Sequence, residues 1–112
     1  VSLGQQYLAY LLDRGEVEGN LFKLAVAYNA GLGNLRKWER NGDFRNDPLL
    51  FIETLPARQT RIFVERVLSN FWIYRQRMGQ GNPSLDAVVA GEWPRYEGLD
   101  PTPLNLAENV KN

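Results

Sequence analysis

Tyr28 and Asn29 are the residues of this sequence best placed to form a site. They close an apolar run, Leu24-Ala25-Val26-Ala27, and lead into Ala30-Gly31-Leu32-Gly33. The chain has no cysteine and no histidine, which removes thiol nucleophiles, imidazole bases, disulfides and most zinc sites together. The chemistry left to a phenol beside a carboxamide is hydrogen bonding. Two readings of the pair stand open. In one, Tyr28 is a core aromatic and Asn29 caps a helix end. In the other, both side chains line a cleft.

The element that must position them is the helix they terminate. Leu21, Leu24, Ala25 and Tyr28 fall at i, i+3, i+4 and i+7, one helical face. Val26 and Ala27 make the opposite side apolar as well, so the helix is expected to be buried nearly all round. Burial sharpens the question of Tyr28 and Asn29, because polar groups cost free energy when they lose water without finding partners. Asn20 is the expected N-cap, and Gly31 and Gly33 suit a left-handed cap and a tight turn.

Composition bounds the rest. The 112 residues are 44% hydrophobic and 23% charged, with 13 basic and 13 acidic side chains that cancel. That is a single globular domain at most, with no net field directed at nucleic acid or an anionic membrane. The absence of cysteine neither requires nor excludes an envelope compartment. No signal peptide and no apolar run of bilayer length is visible. The first residue is Val1 rather than Met, and the expectation is a fragment or a processed product.

Residues 3–14 read as a helix ending at Gly15, with Leu3, Tyr7, Tyr10, Leu11 and Leu12 as its apolar stripe. Asn34–Arg40 reads as a short amphipathic helix whose Arg36, Lys37 and Arg40 form a solvated face. After a polar loop, Asp47-Pro48 supplies a cap and a first-turn proline for one or two turns through Ile52. Glu53 follows this apolar run directly and is expected to be partly buried, either capping a neighbouring helix or serving a site. The longest helix is expected from Pro56 to about Met78, on the spacing Phe63, Val67, Phe71, Tyr74, Met78. Its five arginines (58, 61, 66, 75, 77) against one acid, Glu65, lack aromatic interleaving and argue only weakly for nucleic acid. Ser84 is the expected cap of a last short helix through Ala90. Beyond Trp93-Pro94 the pattern dissolves, and residues 97–112 read as an extended or disordered tail. No P-loop, dinucleotide fingerprint or metal-spaced cluster occurs, so no cofactor and no metal are expected.

Several blocks in register resemble the soluble lytic transglycosylases, lysozyme-like enzymes that cleave peptidoglycan. Leu3-Gly4-Gln5-Gln6-Tyr7-Leu8 is similar to that family's Leu-Gly, two variable residues, Tyr-Leu. Ala27-Tyr28-Asn29-Ala30-Gly31 is similar to its most recognisable block, with Gly33 and Trp38 following. Phe51-Ile52-Glu53-Thr54-Leu55-Pro56 and Gln59-Thr60-Arg61-Ile62-Phe63-Val64 resemble two more, and Gly91-Glu92-Trp93-Pro94 resembles the closing segment. The resemblance covers residues 1–96. It implies an all-α, lysozyme-like fold, of which this chain is the C-terminal half of the catalytic domain.

The family's catalytic glutamate, followed by serine, and its Gly-Leu-Met-Gln block are upstream of the matched region, and neither occurs here. The implied arrangement is that no catalytic residue lies in this chain and that Tyr28, Asn29 and Gln59 bind substrate. Glu53, Thr60 and Arg61 are assigned mainly to structure. Gln59 stands where the family usually has glutamate, and Phe63 where it usually has tyrosine. The implied partners are peptidoglycan glycan strands and the N-terminal part of the domain, from the same gene or a second chain, in the periplasm or cell envelope of a bacterium. No nucleic-acid partner is implied. Two alternatives remain at this point: a non-catalytic glycan-binding module of the same fold, and a helical protein-interaction module that docks through the aromatic face of residues 63–78.

Overall fold

The computed structural model describes residues 3–42 and 44–96. Among them are six helices: α1 (Leu3–Leu12), α2 (Leu21–Ala30), α3 (Leu32–Asn41), α4 (Pro48–Glu53), α5 (Arg58–Arg77) and α6 (Pro83–Val89). The only extended pairing among these residues is a single antiparallel bridge between Asn20 and Arg95. The expected tail at 97–112 lies outside the described residues.

α2 sits at the centre for the reason its composition implies. Leu21, Phe22, Leu24, Ala25, Val26 and Ala27 are all buried, so within its first two turns only Lys23 keeps partial access to water. Its start is fixed locally, since Asn20 is in extended conformation and its side-chain oxygen accepts from the Lys23 amide at 3.1 Å. Asn20→Ala removes that acceptor at a buried position. The expected loss is about 1 kcal/mol of folding stability, measurable as a lowered urea midpoint with an unchanged slope.

The turn after α2 is tighter than expected. Gly31 alone, at φ 93°, reverses the chain, donating its N–H to the Ala27 carbonyl. Its own carbonyl accepts from Leu35, so α3 begins at Leu32 and Gly33 lies inside it. The Asn34 side chain donates to the Ala30 carbonyl at 2.9 Å, satisfying the end of α2. On α3, Leu35 is buried while Arg36, Lys37 and Arg40 are exposed, the solvated face anticipated for them.

α4 follows the expected start: Asp47 accepts from the Leu49 and Leu50 amides, with Pro48 in the first turn. Glu53 ends α4 exposed rather than partly buried, because the helix turns Phe51 and Ile52 inward and its last residue outward. α5 buries Phe63, Val64, Val67, Leu68 and Phe71, so the face considered for docking a partner helix is packed in this chain's own core. Met78 departs from that face because the helix has ended by Arg77, leaving Met78 58% exposed.

Two of the five arginines of α5 hold backbone. Arg61 donates to the Leu55 carbonyl, and buried Arg75 donates to the Gly81 carbonyl at 2.6 Å. Their guanidinium groups brace the corners at either end of the helix. Asn82, not Ser84, occupies the N-cap position of α6. Ser84 is buried one residue past Pro83, where its hydroxyl accepts from the Trp72 indole at 2.9 Å.

Residues 93–96 return to α2. Pro94 accepts from the Leu21 amide at 2.9 Å, and the Tyr96 amide donates to the Gly19 carbonyl at 2.8 Å. The Trp93 ring packs edge-on against Phe22, Phe44 and Phe51, and its indole donates to the Asn46 side chain at 2.8 Å. This strap covers the N-terminal end of the central helix.

Candidate functional site

The last turn of α2 leaves the core at Tyr28 and Asn29, both of which are half-buried. The ring of Tyr28 lies nearly parallel to that of Phe63 on α5, with centroids 6.2 Å apart and planes 8° apart. On its other flank it meets Tyr7 of α1 at 5.8 Å and 45°. These contacts place the tyrosine where three helices converge, fixed by ring packing on both sides.

Asn29 is held by a polar contact. Its side-chain oxygen accepts from the Thr60 hydroxyl at 2.8 Å. Thr60 is buried in the first turn of α5, so this bond joins the end of one helix to the beginning of another. It also directs the Asn29 amide nitrogen, which carries two donors, away from Thr60. The capping role considered for Asn29 belongs to Asn34, which bonds the Ala30 carbonyl.

Gln59 is exposed, directly before Thr60 and four residues before Phe63. On a helix that spacing puts Gln59 and Phe63 on one face, a turn apart. The fold therefore gathers Tyr28, Asn29 and Gln59 around the junction of the α2 C-terminus with the α5 N-terminus. Reading the sequence missed two participants. Thr60 is the group that orients Asn29, and Tyr7 packs beside Tyr28 although its spacing on α1 placed it in an apolar stripe. The i, i+3 repeat of Tyr7 and Tyr10 was the available signal for the latter.

The carboxylates with described partners are engaged elsewhere. Glu39 pairs with Lys23 at 3.2 Å, Glu16 pairs with Arg36 at 3.4 Å, and Asp47 caps α4. Glu53 and Glu65 line a separate groove of about 290 Å³ between α4 and α5, floored by Phe22, Ile52, Val64 and Trp72. That groove shares no residue with the Tyr28–Asn29–Gln59 junction. Among the described residues, no group of three or more His, Cys, Asp or Glu side chains could hold a metal ion.

This all-α chain, with an Ala-Tyr-Asn-Ala-Gly helix end at its centre, is similar to the transglycosylase SLT domain family, whose family model matches residues 1–51. The soluble lytic murein transglycosylase of Escherichia coli (strain K12) is 36% identical over 95 residues, which is 85% of this chain and 14% of that protein. The soluble lytic murein transglycosylase of Salmonella typhimurium is 34% identical over 96 residues, with the same coverage of each chain. The matched segment thus spans 14% of the length of these relatives. No solved structure matches the chain.

Proposed function

We propose that this chain forms one wall of the glycan cleft of a peptidoglycan lytic transglycosylase. The reaction is non-hydrolytic cleavage of the β-1,4 bond between N-acetylmuramic acid and N-acetylglucosamine, leaving a 1,6-anhydromuramic end. The observation that carries this reading is the posture of Tyr28 and Asn29. A buried helix delivers both to a half-exposed junction, where neighbouring rings and Thr60 hold them in fixed orientations.

Glycoside cleavage needs a proton at the leaving oxygen and stabilisation of an oxocarbenium-like state. In the proposed reaction a glutamate outside these 112 residues, from the same gene or a second chain, protonates the glycosidic oxygen as the C1–O bond breaks. Its carboxylate then takes the proton of the C6 hydroxyl, whose oxygen bonds to C1 and closes the anhydro ring. No carboxylate nucleophile takes part. Tyr28 donates a hydrogen bond to the acetamido or ring oxygen of the reacting sugar as charge develops. Asn29 holds a sugar substituent through its amide nitrogen, and Gln59 contributes an uncharged donor and acceptor from α5. The setting is the periplasm or cell envelope of a bacterium. Among the described residues no helix is long and apolar enough to cross a membrane.

The test is product analysis. Peptidoglycan digested with the intact protein, meaning this chain together with the part of the domain that bears the glutamate, is expected to release muropeptides ending in 1,6-anhydromuramic acid, resolved by mass. Products with free reducing ends would instead make the enzyme a hydrolase and overturn the reading.

A further inference from the structure

We propose that Tyr7 and Tyr10 extend the Tyr28 site outward as a stepped row of rings on which successive sugars of a β-1,4-linked N-acetylhexosamine chain stack. The proposal rests on the reading of Tyr28 as a cleft residue and adds a subsite to it.

Four rings touch in sequence from the surface inward. Tyr10 and Tyr7 lie 6.3 Å apart with planes 14° from parallel. Tyr7 meets Tyr28 at 5.8 Å, and Tyr28 meets Phe63 at 6.2 Å. Exposure falls along the same path, from 52% at Tyr10 and 40% at Tyr7 to 8% at Phe63. The inner end is anchored in the core and the outer end is open to ligand.

The outer rings are not needed to bury α1. That helix seats itself through Leu8 and Leu11, which are 6% and 0% exposed. Single exposed aromatics require no explanation, but a contiguous row leading to a candidate site does. The exposed residues of the same segment include the polar Gln5, Gln6, Asp13 and Arg14. The Arg14 guanidinium sits 5.6 Å from the Tyr10 ring centroid, holding that ring by a cation–π contact.

A flat ring bordered by hydrogen-bonding groups matches a pyranose whose substituents are equatorial. Such a sugar presents axial C–H groups to an aromatic face and its hydroxyl and acetamido groups around the rim. β-1,4-linked N-acetylhexosamines have this form.

The experiment is calorimetric titration of the intact protein with the dimer and hexamer of β-1,4-linked N-acetylglucosamine. The Tyr7→Leu/Tyr10→Leu double variant keeps apolar bulk and deletes the rings. It is expected to bind hexamer about tenfold more weakly while dimer affinity stays within about twofold. The Tyr7→Phe/Tyr10→Phe variant is expected to retain hexamer affinity within about threefold. Tyr28→Ala is expected to weaken dimer and hexamer alike.

Hexamer binding by the Leu double variant at wild-type strength overturns the stacking row. If Tyr28→Ala weakens both ligands in that case, the cleft reading of Tyr28 stands without it. If Tyr28→Ala alters neither ligand, the cleft reading falls as well. A lowered melting temperature in the Leu variant, with affinity lost only in proportion to unfolded protein, assigns the rings to packing and also overturns the proposal.

Discussion

The 112-residue chain by itself is expected to release no 1,6-anhydromuropeptide from peptidoglycan. Proton donation to the leaving oxygen requires an acid within hydrogen-bond reach of the scissile bond. The sequence contains no glutamate followed by serine. Glu16 and Glu39 are paired with cations, and Glu53 and Glu65 line a groove elsewhere. Adding the polypeptide that bears the acid is expected to restore release. The measurement is mass-resolved muropeptide analysis of a long digestion with the pure chain. Anhydro product above the no-enzyme level would show that an acid within the chain does the work and would undo the division of labour proposed above.

Tyr28→Phe in the complete enzyme is expected to lower turnover at least about tenfold, equivalent to about 1.4 kcal/mol of transition-state stabilisation, while melting temperature changes little. The ring makes the packing contacts to Phe63 and Tyr7, and phenylalanine keeps it. Only the oxygen is removed. A core tyrosine would contribute mainly through ring burial, on the order of 1.5–3 kcal/mol, and the substitution would leave the catalytic rate alone. A tyrosine whose hydroxyl meets developing charge behaves differently, because loss of one preorganised donor typically costs roughly a hundredfold in turnover. Wild-type turnover per folded molecule would place Tyr28 outside the catalytic machinery.

What is legible in the sequence divides by the range of the interaction. The start of α2 at Asn20 and of α4 at Asp47-Pro48 depends on groups within three residues, and both were legible as caps. The length and buried face of α5 followed from its periodicity. The polar end of α2 was legible as an anomaly in an apolar helix. Its resolution was not, because the Thr60–Asn29 bond joins residues 31 apart. Periodicity also says which side chains share a face without saying what the face meets. Tyr7 and Tyr10 were therefore grouped with Leu11, although only Leu11 is in the core. Ser84 misled for a related reason: a hydroxyl near a helix start resembles a cap until a distant indole claims it.

The strap at residues 93–96 bears on the order in which this chain can fold. Helices α1 to α5 each form through bonds between residues a few positions apart, and the bond that ties α5 to α2 joins residues 31 apart. The Arg95 side chain, by contrast, reaches a carbonyl 77 residues back. Closing a loop of that length costs on the order of 4 kcal/mol of chain entropy, too much for one bridge to recover unless the helices have already brought its two ends close. The contacts of Pro94 and Tyr96 with α2 are thus late events, and the aromatic cluster around Trp93 is completed only after the loop closes. The central helix spends the early part of folding with its first turn open to water, and the last residues to dock are the ones that seal it.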